Sequence, residues 1–335
     1  MTKLSVPKDN FDQTLARFFH EQEKMKLLSP ADLRKYLSKK EAAFRKNNPF
    51  HPSRQKASAL TVEVPRLYAA VAYAMWQYGV IMNAHLTICW RLLGVMNHAW
   101  AAELLSRYNH EAAKWLDVGI GDGVERRRVS RRSSGTSALH LFVYVHENAR
   151  EKGFHTHELM CLPVCRAQAF ADWSRDCLGR LAGQRQVDER AVFFSPASAK
   201  LKQFKPYEGM RESFAVERQW EWFRYITKSL HPDHMERTPD GYGLRPAREI
   251  FGMTHPFMET PPVTCTKLAG YSENIGPAIQ RRVEFVSKFD RGDWANLYDG
   301  SELDDFRECV AEIREEAREA ARQAEMKAIF DRVTI

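Results

Sequence analysis

The chain has 335 residues, of which 44% are hydrophobic and 28% are charged. This balance is that of a globular protein with a full-sized core, and it excludes collagen-like, low-complexity and wholly disordered chains. Fifty lysines and arginines against 43 acidic residues leave a formal net charge of +7. A basic excess of this size is compatible with a nucleic-acid partner but does not require one.

The cysteine content and the apolar segments bear on where the protein resides. Six cysteines are far fewer than a disulfide scaffold of this length would contain, so we expect reduced thiols in a cytosol. The first residues, 1–5, lack the apolar core of a signal peptide. The most apolar stretch, residues 67–90, is interrupted by polar side chains and falls short of the ~20 apolar residues that a spanning helix needs. We therefore expect a cytoplasmic protein with no membrane partner.

The first 79 residues are predicted to be helical. Ser29-Pro30-Ala31-Asp32 has the order of a helix start, with an N-cap serine, a proline in the first turn and then an acid. A second amphipathic helix is predicted over residues 65–78. The segment 85–90, His-Leu-Thr-Ile-Cys-Trp, is short and rich in strand-forming residues, which indicates a strand.

The following elements are predicted in the order helix, strand, strand, helix, strand, helix: residues 97–117, 138–146, 154–162, 167–181, 191–194 and 211–230. Short strands joined by a hairpin and by helices predict an α+β fold, with a central antiparallel sheet and helices packed on one face. Residues 231–300 show little pattern. At Ser301 the spacing of a capping box predicts a charged C-terminal helix. We divide the chain into a helical N-terminal extension (1–79), a catalytic domain (80–230) and a C-terminal extension (231–335).

Two histidines two residues apart form the sharpest motif. On a strand, His155 and His157 project from the same face and can hold one cation. Glu158 points to the opposite face, whereas Glu147 on the neighbouring strand can reach the histidine face as a third ligand. Imidazole with a carboxylate suits a divalent cation that polarises a phosphate. Taken alone, a His-x-His triplet is a weak signal.

A second motif lies on the helix predicted over residues 211–230. Glu221, Tyr225 and Lys228 are spaced four and three residues apart, so they share one helix face. A phenol with its ordinary pKa near 10 is a poor nucleophile at neutral pH. A nearby ammonium and a metal-polarised phosphate would both help it to attack phosphorus. An amphipathic helix with a packed tyrosine and a solvated lysine explains the spacing equally well.

Together and in this order, the two motifs resemble the HUH endonucleases, in particular single-tyrosine rolling-circle replication initiators (Rep type). That family has a His-x-His strand followed by a helix with Tyr-x-x-Lys, and an upstream apolar-Thr-apolar strand, which the segment around Thr87 resembles. The resemblance covers residues 80–230. Thr156 departs from it, because the family usually has a bulky apolar residue between the histidines.

The resemblance implies an HUH-like core and a metal-dependent DNA nicking-joining activity. Tyr225 would attack a scissile phosphate of single-stranded or hairpin origin DNA, forming a 5′-phosphotyrosine and freeing a 3′-OH. His155, His157 and Glu147 would hold Mg²⁺ or Mn²⁺ against the phosphate. The origin sequence, the genetic element, a host helicase or other replication partner and the oligomeric state are left open.

The other two residues of the helix motif also receive roles from the resemblance. Lys228 would orient or neutralise the scissile phosphate. Glu221 would activate water in the closing cleavage, as implied for the branch of the family that has a glutamate one turn before the tyrosine.

An arginine-rich loop and three aromatic residues are candidates for contact with DNA. The loop supplies five cations in seven residues, which could contact phosphates or simply be solvated: Arg126, Arg127, Arg128, Arg131 and Arg132. Trp220, Trp222 and Phe223 could stack on unpaired bases, although their helical spacing favours core packing.

Three alternatives stay open. Tyr36, in Tyr36-Leu37-Ser38-Lys39, lies N-terminal to the histidines as in relaxases, which also need a third histidine, and His146 has an unfamiliar spacing for that role. Cys161 and Cys165 could complete a closed structural zinc site with the two histidines. An HUH-like protein that binds DNA without cutting it is the third.

Overall fold

A computed structural model describes residues 59–117, 140–195, 212–265 and 267–333, together with a few positions at 32, 35–36, 39, 197–198 and 203–204. The helices are α1 (Glu63–Tyr78), α2 (His98–Asp117), α3 (Ala167–Leu181), α4 (Glu212–Ile226), α5 (Ala247–Ile250), α6 (Pro277–Arg282), α7 (Lys288–Arg291) and α8 (Ser301–Val333). The strands are β1 (Ala84–Cys89), β2 (Phe142–Ala149), β3 (Gly153–Met160), β4 (Val192–Ser195), β5 (Ala197–Ser198), β6 (Gln203–Phe204), β7 (Met235–Arg237), β8 (Leu244–Pro246) and β9 (Ala269–Tyr271).

A five-stranded antiparallel sheet in the order β4-β1-β3-β2-β9 forms the centre of the fold. The α+β class and the central antiparallel sheet predicted from the sequence are thus confirmed. The strands β2 and β3 form a tight hairpin, in which Gly153 adopts a positive φ of 69°. That backbone conformation is strained for other residues, so a glycine fits the end of this turn.

The two faces of the sheet are covered by different helices. Helix α4 packs against β3 and α1 against β2 on one face. On the other face, Asn109 of α2 donates a hydrogen bond to Glu158 of β3 (3.3 Å). Phe170 of α3 lies beside Phe194 of β4 on that same side, with 6.1 Å between ring centroids. The prediction of helices on one face only is therefore wrong, because polar residues in β3 concealed that this strand is buried on both sides.

The hydrophobic core includes residues from all three segments into which the sequence was divided. Tyr68 of α1 is fully buried and donates a hydrogen bond to the carbonyl of Leu297 (2.7 Å). Leu60 forms a bridge with Leu230. Strand β9 extends the sheet from the C-terminal segment, where the sequence had shown little pattern. The division into domains stays a prediction, and the core crosses both of its boundaries.

The element bounds differ from the prediction at β2, which spans Phe142–Ala149 where residues 138–146 were predicted, and at the end of α4. The helix ends at Ile226, four residues earlier than predicted, and a turn follows. The guanidinium of Arg248 donates to the carbonyls of Lys228 and Leu230 at 2.8 and 2.9 Å, so it satisfies acceptors in the segment that follows the helix. Among the described helices, none combines the length and apolar composition needed to cross a bilayer.

Candidate metal centre and cleft

Three predicted ligands meet on one face of the sheet. His155 and His157 project from the same side of β3, and Glu147 is the register partner of His155 on β2. Glu147 Oε2 lies 3.3 Å from His155 Nε2 and 3.6 Å from His157 Nε2. All three side chains are buried, and their ligand atoms lie within 4.8 Å of one another. In the part of the chain that the structure describes, this is the one grouping of three such residues that could hold a metal ion.

The backbone of the hairpin orients the first imidazole. His155 Nδ1 lies 2.9 Å from the carbonyl oxygen of Gly153. Because a carbonyl can only accept, Nδ1 must carry the proton, which leaves a lone pair on Nε2. That lone pair faces Glu147, which is the orientation that a metal ligand needs.

The second imidazole is held by residues of β1. His157 Nδ1 lies 3.1 Å from Thr87 Oγ1 and 3.1 Å from His85 Nε2. Burial lowers the pKa of His157 to about 4, partly offset by its contact with Glu147. The ring is therefore neutral at pH 7, as a metal ligand must be. The pKa of His85 is also lowered, first by burial and then by the proximity of His157 and Lys228.

The neighbours of Glu147 favour the ionised form of its carboxylate. Burial by itself raises the pKa of Glu147, but contacts with His155 and His157 and the ammonium of Lys228 outweigh it and hold the pKa well below its usual range. Lys228 Nζ donates to Glu147 Oε2 at 2.6 Å. The carboxylate is thus ionised at neutral pH and available to a cation.

Two buried atoms of the cluster have no hydrogen-bond partner, Glu147 Oε1 and His157 Nε2. Buried polar atoms are rarely left unsatisfied, because desolvation without a bond costs about 1–3 kcal/mol. Here lone pairs of two imidazoles and a carboxylate converge on one point, and a divalent cation would satisfy them together. The residues therefore fit a metal ion with two nitrogen ligands and one oxygen ligand.

Tyr225 lies directly beside this cluster. Its ring centroid is 5.2 Å from that of His157 and 5.6 Å from that of His255. Burial and the negative charge of Glu147 raise the pKa of the phenol, so the tyrosine is protonated at pH 7. Lys228 Nζ lies 4.4 Å from the ring centroid and supplies positive charge to the π face. Tyr225 and Lys228 are thus in contact with each other and with the candidate metal ligands, although Lys228 lies in the turn after α4 and not on the helix face predicted for it.

Glu221 lies one turn before the tyrosine and faces the same cleft. Its carboxylate forms an ion pair with Arg218 at 2.7 Å, and its side chain is 42% exposed. It is therefore not part of the buried cluster, although it can reach water in the cleft.

A cleft of about 850 Å³ between the sheet and α4 reaches the cluster at His157, the one of its three residues that lines the cleft. His85, Thr87, His157 and Tyr225 line its inner end. Five cationic side chains and two acidic ones also line it: Arg91, Lys152, Arg190, Arg218 and Arg224, with Glu151 and Glu221. Such a lining attracts a polyanion.

The sequence analysis missed these cations, because they come from separate loops and from α4 and form no run in the chain. It also missed His85, although a polar residue two positions before Thr87 on an apolar strand is a signal that could have found it.

The predicted DNA contacts divide three ways. The arginine loop 126–132 lies outside the described residues. Trp220 and Phe223 are almost fully buried in the core, as their helical spacing favoured. Trp222 lines the cleft, and its ring centroid is 5.7 Å from that of His85.

The two alternative sites suggested by the sequence do not assemble. Cys161 lies four residues beyond His157 along an extended chain, which is about 13 Å, and neither it nor Cys165 joins the metal-binding grouping of the described residues. His146 points to the other face of the sheet, where its Nδ1 lies 2.7 Å from Thr156 Oγ1. Within the described part of the chain, the cleft is lined by Tyr225 and not by Tyr36.

Comparisons with protein-family models, with curated proteins and with solved structures find no match for this chain.

Proposed function

We propose that this protein is a metal-dependent DNA nicking and joining enzyme of the rolling-circle replication initiator type, with Tyr225 as its nucleophile. One observation carries the proposal. The phenol of Tyr225 packs on His157, so a tyrosine, a cluster of metal-ligating side chains and a cationic cleft meet at one place. The order of the motifs in the sequence, and their resemblance to HUH endonucleases, supply the reaction class.

The reaction is a transesterification. The phenol oxygen of Tyr225 attacks the scissile phosphorus, a Tyr–O–P bond forms and the P–O3′ bond breaks. The 3′ oxygen leaves as a hydroxyl with the proton that the phenol gives up, and the 5′ phosphate stays on the tyrosine. His155, His157 and Glu147 would hold Mg²⁺ or Mn²⁺, which when bound would supply Lewis-acid polarisation and charge neutralisation for the phosphate. Attack by a 3′-OH on the phosphotyrosine reverses the bond changes and joins strands.

The remaining side chains have defined tasks in this scheme. Lys228 holds positive charge between Glu147 and the ring of Tyr225, which stabilises the phenolate as it forms. Glu221, half exposed in the cleft, is placed to activate water for the closing cleavage. His85 and Thr87 keep the ring of His157 in position.

The cationic lining supports a nucleic-acid substrate. Because a tyrosine must reach the scissile phosphate inside a cleft, the substrate is single-stranded DNA or the loop of an origin hairpin. A free 3′-OH left by nicking would prime replication. Replication from this primer would involve a helicase and other replication proteins of the host as partners.

A covalent-adduct assay tests the proposal. Purified protein is mixed with Mn²⁺ and a pool of labelled single-stranded and hairpin oligonucleotides and run on a denaturing gel. We expect a shifted band with the unmodified chain and with Tyr36→Phe, and none with Tyr225→Phe. The matched control Tyr242→Phe, at a 95% exposed tyrosine outside the cleft, should keep the band.

Each other outcome has a definite meaning. A band lost only with Tyr36→Phe would make Tyr36 the nucleophile and refute the assignment of Tyr225. Binding of the oligonucleotides with no covalent product across the pool would favour the noncatalytic DNA-binding alternative.

A further inference from the structure

An exposed aromatic residue stands at the edge of the sheet beside the metal cluster. Phe193 is 46% exposed and lies on β4, the edge strand. Its register partner on β1 is Thr87, whose own partner on β3 is His157. Partners in antiparallel strands share a face, so Phe193 projects on the same side as the metal cluster. Two strand spacings place it about 10 Å from His157.

A second aromatic side chain lines the same cleft from α4. Trp222 is partly exposed, and its ring lies against that of His85. The cleft thus has an aromatic side chain on each of its two walls, the sheet edge and the helix. Aromatic surface on an edge strand is a liability for aggregation unless it has a partner.

The charges around these rings identify the partner. Arg91 and Lys152 line the cleft together with Arg190, which is three residues before Phe193 in the chain and forms an ion pair with Asp188 at 2.6 Å. Aromatic faces combined with cations that contact phosphates are the means by which proteins bind unpaired nucleotides. A hydrophobic peptide would gain nothing from the cations.

We propose that Phe193 stacks on an unpaired base of the bound strand, with Trp222 on the opposite wall, while the neighbouring cations hold the phosphates. The distance of about 10 Å from His157 corresponds to up to about three stacked nucleotides at 3.4 Å each, so the stacked base lies close to the scissile phosphate. The inference rests on the proposed function for the position of the scissile phosphate, but the base-binding site itself does not require cleavage.

The test measures binding in the absence of nicking. Fluorescence anisotropy measures the binding of a labelled single strand of mixed sequence in the presence of a chelator. The Tyr225→Phe chain is compared with the double variant Tyr225→Phe/Phe193→Leu. Leucine keeps an apolar side chain on the exposed edge but has no ring, so the fold is unaffected, which thermal melting verifies. We expect Phe193→Leu to weaken binding about tenfold, and Phe193→Trp to restore it.

A strand with abasic sites separates stacking from charge. We expect both chains to bind the fully abasic strand equally, and the dependence of affinity on salt to be unchanged by Phe193→Leu, since no phosphate contact is removed. The inference is overturned if the two chains bind the ordinary strand equally, or if Phe193→Leu weakens binding to the abasic strand as much as to the ordinary one. It is also overturned if the protein binds no single strand.

These outcomes are distinct from failure of the proposed function. Weaker binding by Phe193→Leu without any covalent adduct would retain the base-binding site and reject nicking. An adduct with unchanged binding would do the opposite.

Discussion

Replacing Lys228 by methionine should separate metal affinity from catalysis. The ammonium of Lys228 lies 2.6 Å from Glu147 Oε2, and the two side chains are 25% and 6% exposed. Methionine keeps much of the aliphatic stem and removes the charge. Glu147 then loses its cationic partner in the metal-free protein, while a cation at Glu147 loses a repulsive neighbour. The two effects have opposite signs.

The structure sets the size of both effects. Removing one partner of a fully buried pair costs about 3–5 kcal/mol, and an exposed pair is worth at most about 1 kcal/mol. For this half-shielded pair we expect the metal-free chain to lose about 2 kcal/mol of unfolding free energy. A cation about 2.1 Å from Oε2 is at most about 4.7 Å from Nζ. Repulsion between charges of +2 and +1 at about 4.7 Å is about 1.8 kcal/mol at the dielectric constant of water, or about 20-fold in affinity.

Lys228 can turn away from a bound ion, so we expect Lys228→Met to bind Mn²⁺ about tenfold more tightly. Urea unfolding in a chelator and calorimetric Mn²⁺ titration measure the two quantities. Lys114→Met, which breaks a surface pair with Glu111 on α2, is the matched control and should leave Mn²⁺ affinity unchanged. The covalent-adduct yield should fall, since the phosphate and phenolate lose a cation. Unchanged or weaker Mn²⁺ binding by Lys228→Met would refute the placement of the cation at Glu147.

Two further predictions concern buried groups around β3. Burial raises the pKa of Glu158 to about 8, offset by its bond from Asn109, so the native state keeps a proton that the unfolded chain loses above pH 4.5. Stability therefore falls as the pH rises from 4.5 to 8. In urea titrations, Glu158→Gln should stabilise the protein by about 3 kcal/mol at pH 7 and by nothing below pH 4.5. A difference in unfolding free energy that does not change with pH would contradict this. His85→Phe removes the nitrogen beside His157 Nδ1 but keeps a ring against Trp222, and should weaken Mn²⁺ binding 10- to 100-fold, as loss of a residue that orients a ligand does; unchanged affinity in a calorimetric titration would leave orientation to Thr87 alone.

Local pattern was enough for the elements and for the pairing of the site residues within each element. Helix α3 has the predicted bounds, because its amphipathic spacing is regular and Pro163 stops the preceding strand. His155 and His157 share a face because side chains alternate along a strand. Tyr225 and Lys228 are in contact although α4 ends at Ile226, because Lys228 N donates to the carbonyl of Tyr225 at 3.3 Å in the turn that follows.

Contacts between distant segments could not be obtained in this way. Strand β9 is three residues long. A glycine is needed at its position 270, because the ring of Tyr144 would lie 2.7 Å from a Cβ there. The position of Glu147 opposite His155 was anticipated from the hairpin, but its bond with Lys228 joins residues 81 positions apart.

The sequence by itself determined the α+β class, the antiparallel hairpin that carries the candidate metal ligands and the position of Tyr225 on a helix, since each depends on interactions between near neighbours in the chain. Only the tertiary structure decided that helices cover both faces of the sheet, that His85 supports His157, and that cations and aromatic residues from separate loops line one cleft. The physical reason is that burial and the charge of a site are sums over residues that folding brings together, and no periodicity in the sequence records those sums.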